Sequence, residues 1–155
     1  MVRVIHKDIK ISFEDFRILN LSFSVNSKFE AKGQAIEINP QIAIAKDYDS
    51  DKRTLVVRLR VSLIAGDVPF FFDLESIGSF SFDVSPDEDT IERCASINCP
   101  AIMFPYVRET IADLTRRAGF APLHLQPINF VKFAERQSTT PQKAVPEKKQ
   151  SVRKK

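Results

Sequence analysis

The run LVVRLRVSLIAGDVPFFFDL, residues 55–74, decides how this chain folds. Leu55, Val57, Leu59, Val61 and Leu63 stand on one parity, and Arg58, Arg60 and Ser62 on the other. Such alternation marks a strand with one buried and one solvated face. Gly66-Asp67 is a short turn signal, and Val68 to Phe82 returns as a second strand. Two alternating runs joined by a short turn make an antiparallel hairpin. In the returning run Phe70, Phe72 and Leu74 share one face, and Phe71, Asp73 and Glu75 share the other. Three adjacent phenylalanines cannot all point to one side of a pleated strand. One aromatic face is therefore core, and the other needs a partner. Gly78 implies a kink or bulge further along.

Upstream, Ile9 to Val25 reads as a strand whose parity breaks in the middle. Ile9, Ile11 and Phe13 share a face with Leu19, Leu21, Phe23 and Val25, but Asp15 and Arg17 interrupt it while Phe16 and Ile18 fall on the opposite parity. A bulge or bend near 14–18 is expected. Ala35 to Ala45 alternates as another strand, with Pro40 on its apolar parity implying an edge or a bulge. Asp47 to Asp51 is a turn by composition.

Downstream, Ser85-Pro86 followed by Asp87, Glu88 and Asp89 is a helix start with Ser85 as its cap, and the helix runs to about Ser96. Pro100 and Pro105 argue against one uninterrupted helix: either a new helix begins with Pro105 in its first turn, or one begins at Pro100 and kinks. Met103, Val107, Ile111, Leu114 and Ala118 then recur at helical spacing, and the helix ends at Gly119. Residues 120–131 read as an extended connector, with a short last helix through Phe133 and Ala134. The expected fold is α+β: a four-stranded antiparallel meander followed by helices packed on one face.

Charge is unevenly placed. The formal net charge is +3, yet residues 136–155 alone carry +6, leaving residues 1–135 at −3. The expected organisation is a domain over 1–135 and a disordered basic tail over 136–155. A mildly acidic body argues against a nucleic-acid-binding domain; the tail offers RNA, anionic lipid or an acidic protein surface a weaker handle. Thirteen Phe against two Tyr and no Trp supply apolar area without polar handles. A chain this short has difficulty hiding all of it, which points to an oligomer interface or a binding groove. No apolar run approaches a membrane span, and the first residues do not resemble a signal peptide. Cys94 and Cys99 lack a CxxC or ligand spacing, as in a reducing cytosol. No catalytic constellation, metal site or cofactor motif is expected.

Two words carry a resemblance. Asn98-Cys99-Pro100 through Phe104-Pro105-Tyr106-Val107-Arg108-Glu109, and Leu125-Gln126-Pro127-Ile128-Asn129-Phe130, resemble the SecB family of bacterial export chaperones. Leu59-Arg60-Val61 and Pro69 to Leu74 add to the likeness, which covers about Lys52 to Phe133 and is weaker before that. The resemblance implies a cytoplasmic, ATP-independent holdase that assembles as a tetramer, a dimer of dimers. It would bind unfolded or precursor polypeptides in apolar grooves and hand them to the SecA motor. It implies client contacts at Phe70, Phe72, Leu74, Phe130 and Phe133, and SecA docking at Phe71, Asp73 and Glu75. It also implies an oligomer interface at Phe16, Ile18, Tyr106 and Arg108. Asn20 and Ser24 stand where typical members carry acids, and the tail is basic where theirs is acidic or apolar. Two alternatives stay open: a dedicated SecB-like chaperone of an antitoxin, and, from another class, a carrier of a small apolar ligand or lipid.

Overall fold

The computed structural model describes residues 9–139. Strands β1 (Ile11–Val25), β2 (Gln41–Asp49), β3 (Thr54–Leu63) and β4 (Phe70–Phe82) form one antiparallel sheet. Helices α1 (Glu88–Arg93), α2 (Cys99–Arg117) and α3 (Phe130–Thr139) come after it in the chain, with a π-helical turn over Cys94–Asn98 between α1 and α2. The fold is α+β with its helices on one face of the sheet.

The sheet is not the simple meander that the sequence suggests. Its spatial order is β1-β4-β3-β2. β2, β3 and β4 are successive neighbours, but β1 pairs with β4 instead of β2. Residues 26–40 are too long for a hairpin loop of about two to five residues. Asn26 turns them away from the sheet: its backbone N–H donates to the Pro69 carbonyl and its side-chain amide to the Val68 carbonyl, each at 2.8 Å. β1 ends beside Phe70 and β2 begins beside Ser62, so the connector passes around the β3–β4 hairpin end. This is a Greek-key order in reverse chain sense. β2 also starts later and ends later than its composition suggests. Pro40 stands just before it, and Asp47-Tyr48-Asp49 completes it, with Tyr48 paired to Leu55.

The parity break in β1 resolves into two register shifts, between Phe13 and Asp15 and between Ile18 and Asn20. Each inserts one unpaired residue and turns the alternation over. The first brings Phe16 opposite Gly78 and Ile18 opposite Ser76; the second brings Leu21 and Phe23 opposite Leu74 and Phe72. All the large apolar residues of β1 except Leu19 thus reach the helix-facing side. One bulge would leave half of them facing solvent on the wrong side; the second restores them.

The helices also depart from expectation. Asp87, not Ser85, caps α1, its carboxylate accepting the Thr90 N–H at 2.7 Å. The two prolines do not break the helix. Pro100 lies in the first turn of α2, directly after the π turn, whose last bond runs from the Cys99 N–H to the Cys94 carbonyl. A wide turn there removes the clash between a proline ring and the carbonyl four residues back. α3 reaches Thr139, so residues 136–139 are helical where a disordered tail is expected from 136. The remaining residues of that tail, 140–155, lie outside those described.

The core sits between α2 and the inner face of β3 and β4. Leu55, Val57, Leu59, Val61, Leu74, Phe80, Met103 and Val107 are all fully buried. Their spacing is close enough to require glycine at one point. A Cβ on Gly78 would stand 2.8 Å from Met103 Sδ and 2.9 Å from the Phe80 ring. Gly78→Ala should therefore cost about 1–3 kcal/mol, read as a lower urea midpoint with unchanged slope. Combined with Met103→Ala, it should cost less than the sum of the two single changes, because the cavity admits the added methyl.

Candidate functional surfaces

The sheet has two faces with different chemistry. The outer face is a ladder of ion pairs. Asp73 accepts both the Nε and the Nη2 of Arg60, at 2.8 and 2.5 Å, and Glu75 accepts Arg58 Nη1 at 3.0 Å. Both pairs run diagonally across the strands, since the register sets Arg60 opposite Glu75, Ser62 opposite Asp73 and Arg58 opposite Ile77. On the β1 side Ser22 stands beside Asp73, Asn20 beside Glu75, and Ser24 beside the half-buried Phe71. The hydrogen bonds from Arg60 hold the Asp73 carboxyl below the usual carboxylate range and raise the guanidinium. The three residues marked for SecA docking, Phe71, Asp73 and Glu75, thus share one face, where both acids are neutralised by arginines.

The inner face is apolar and incompletely covered. α2 crowns β3 and β4 and leaves the flanking strands partly open. Along β1, Phe13, Ile18, Leu21 and Val25 keep 36%, 40%, 38% and 55% of their surface exposed. Tyr106 from α2 leans toward this strip, stacking on Phe16 at 5.0 Å between ring centroids and tilting against Phe13 at 6.0 Å. Three of the residues marked for oligomerisation, Phe16, Ile18 and Tyr106, therefore meet on one apolar patch. Arg108 does not join them. Its Nε donates to the Leu125 carbonyl at 2.6 Å and ties the 120–129 connector to α2.

On the opposite flank β2 is, among the described residues, the edge strand of the sheet, and between it, the π turn and α3 lies a groove of about 580 Å³. Ile42, Ile44, Ala95, Phe133 and Ala134 line it. α3 closes one side of this groove through two aromatic anchors. Phe130 is buried edge-on against Phe104 at 5.8 Å, and Phe133 packs on Phe130 at 6.3 Å while staying half-exposed. The residues marked for client contact divide accordingly. Phe133 lies at the groove and Phe130 is buried beside it, whereas Phe70, Phe72 and Leu74 are closed within the chain's own core at 3%, 2% and 0% exposure. Phe70 stacks on Phe23 and receives the edge of Phe120.

Thr115 is a fixed point with little signal in the sequence. It is fully buried, donates its hydroxyl to the Ile111 carbonyl at 3.0 Å, and accepts the Leu123 N–H at 2.9 Å. Its one signal is its place four residues after Ile111, where an apolar stripe continues on a polar residue. Together Thr115 and Arg108 carry the connector to the start of α3. Cys94 and Cys99 are buried free thiols, and burial pushes both up in pKa, away from nucleophilic chemistry at neutral pH. Among the described residues no group of three or more His, Cys, Asp and Glu could hold a metal, and no helix is long and apolar enough to cross a membrane.

The described residues thus present a charge-balanced outer sheet, a bare apolar flank and a groove beside α3, a class of surface suited to binding other polypeptides. Residues 6–140 match the SecB family, described as preprotein translocase subunit SecB, and the chain belongs to that family. A protein-export protein SecB from a Ruegeria species is 30% identical over 138 residues, covering 80% of this chain and 82% of that protein. The protein of the same name from Dinoroseobacter shibae is 35% identical over 109 residues, and this match spans 64% of the chain and 63% of that protein. Among solved structures, a SecB-like chaperone of Mycobacterium tuberculosis, in complex with a peptide from an antitoxin, superposes with a TM-score of 0.66 at 23% identity. That match covers 76% of this chain and 90% of the other and establishes a shared fold.

The outer-face ladder has a measurable consequence. The folded Asp73 carboxyl titrates lower than the unfolded one. Its contribution to stability is thus complete above the unfolded value of about 3.9 and is lost as pH falls through the folded value. The difference in urea midpoint between the wild type and Asp73→Asn should be present at pH 7 and close below about pH 4. An equal difference at all pH values would mean that packing, not charge, holds Asp73.

Proposed function

We propose that this chain is an ATP-independent holdase of the cytoplasm that keeps unfolded precursor polypeptides competent for export. The observation that carries this reading is the groove beside the free edge of β2. It joins two modes of recognition that tolerate many sequences. An extended segment can add backbone hydrogen bonds to an unpaired strand edge, irrespective of its side chains. Its apolar side chains can meanwhile settle against Ile42, Ile44 and Phe133 without having to match a hydrogen-bond pattern. α3, fixed by Phe130 and Phe133, serves as the cover of this groove, and lifting it widens the apolar surface toward Phe104 and the core phenylalanines.

The export reading is favoured over an antitoxin-dedicated chaperone by similarity. The export proteins are 30–35% identical to this chain, against 23% for the chaperone solved with an antitoxin peptide. A lipid carrier is disfavoured because this groove is open along a strand edge rather than enclosed. The apolar patch of Phe16, Ile18 and Tyr106 supports self-association, with the tetramer as its product. The outer-face residues Phe71, Asp73 and Glu75 are the surface offered to SecA, and the paired arginines make that surface charge-balanced.

In a light-scattering assay without ATP, the protein should suppress aggregation of a refolding client at about one tetramer per client chain. Ile44→Asp and Phe133→Asp alter half-exposed side chains, so their melting temperatures should fall little while suppression drops several-fold. No suppression of several unfolded clients by folded protein would sink the holdase reading.

Self-association has its own readout. Native mass should correspond to four chains, and Ile18→Asp, which sets a charge in the exposed strip on β1, should shift it to smaller species. A monomeric wild type at micromolar concentration would remove the tetramer from the reading.

A further inference from the structure

We infer that the C-terminal segment, residues 140–155, docks on its own chain in a second groove, between the start of β1 and the α1–π-turn segment. This groove holds about 520 Å³ and adjoins the one beside β2, with which it shares Glu92, Ser96 and Ser138. Ile9, Ile11 and Ile97 form its apolar floor. Among the described residues of its lining, Asp87, Asp89 and Glu92 stand against one base, Arg93, a net −2. Two of these acids have local duties: Asp87 caps α1, and Glu92 pairs with Lys46.

The occupant is identified by the end point of α3 and by the composition of the residues after it. Ser138, in the last turn of α3, stands where this groove meets the one beside β2, and α3 stops at Thr139. The next residues therefore leave from its wall. They read TPQKAVPEKKQSVRKK, with Lys143, Lys148, Lys149, Arg153, Lys154 and Lys155 against Glu147. Lys143-Ala144-Val145-Pro146 joins a cation to a short apolar word, the complement of an acidic rim above an isoleucine floor. Reach is no obstacle, since sixteen extended residues span about 50 Å. Pro141 and Pro146 reduce the freedom that docking would remove. Held there, the segment covers apolar surface that would otherwise face water, and it does so through charges that salt can screen.

The test uses the full chain. A nitroxide is attached at Ser151→Cys; the native thiols do not compete, because Cys94 and Cys99 are buried. Isoleucine methyl groups report its proximity. At low salt the methyl signals of Ile9, Ile11 and Ile97 should lose about half their intensity or more, while those of the distant Ile36 and Ile64 hold theirs. Raising salt from about 0.02 to about 0.5 M should restore them. Asp89→Lys with Glu92→Lys should restore them at low salt, without loss of the other methyl signals. Broadening that is absent, uniform over the surface, or indifferent to the charge reversal would overturn the inference. So would broadening in a mixed sample where the nitroxide and the labelled methyl groups are on different chains.

Discussion

One helix is too narrow to cover four strands. A helix with its side chains is about 10–12 Å across, whereas four strands at about 4.8 Å spacing present a wider floor. α2 is placed over the middle pair, β4 and β3, and the residues beneath it are sealed: Leu55, Val57, Leu59, Leu74 and Phe80 have no exposure. The outer strands receive what is left. Among the described residues, β1 keeps an apolar strip that Tyr106 covers only in part, and β2 receives the π turn and α3. The two surfaces that suit this chain to binding polypeptides thus arise from the same geometric shortage, and the Greek-key order decides which strands bear it.

Much of this was legible in the sequence. The alternation in β3 and β4, the polar face beside it and the helical stripe from Met103 to Ile111 come from periodicity, because side chains at fixed spacing must share a face. The illegible part depends on contacts distant in sequence. Nothing local says that β1 pairs with β4; that pairing joins residues far apart in sequence, from Ile11 with Phe82 to Val25 with Phe70, and Asn26 secures its end on the Pro69 and Val68 carbonyls. The bulges in β1 were half visible. The parity break announced one, but a second is needed to bring Leu21 and Phe23 back, and a return to the original parity looks like no event at all. The continuity through Pro100 was hidden because proline is read as a helix breaker, and a π turn that accommodates it has no sequence signature. Burial was the hardest part of the site to foresee. Phe70, Phe72 and Leu74 have the composition of a binding surface, but they lie under α2 and beside β1, and only the assembled fold shows that they are occupied.

The charge of the outer face shows how register overrides composition. Asp73 and Glu75 read as an acidic patch along one strand. Pairing with β3 sets Arg60 and Arg58 within hydrogen-bond distance, so the patch becomes two dipoles with little net field. Surface pairs of this kind contribute little to stability, about 0–1 kcal/mol each. Their effect is on recognition: a partner that binds through complementary charge must first displace the arginines or accept both signs. Asn20 and Ser22, which flank the acids on β1, add no charge to tip the balance.

The two flanks of the inner face differ in how their apolar surface can be hidden. The β1 strip is broad and continuous, and its residues belong to the sheet itself, so only another folded surface can cover it. The β2 groove already has a cover, held chiefly by Phe130 and Phe133. Burying one such side chain is worth about 1.5–3 kcal/mol. On the proposed reading, an incoming segment with an aromatic or aliphatic residue would gain a similar amount in the same place, so the exchange of cover for client would run near balance. A permanent, sequence-specific cover would make the groove part of the core; no cover at all would make it an aggregation site. A helix tied down by two phenylalanines, at the end of a connector pinned by Arg108 and Thr115, lies between these limits. That intermediate strength is what a chaperone must have if it is to hold unfolded chains and still release them without ATP.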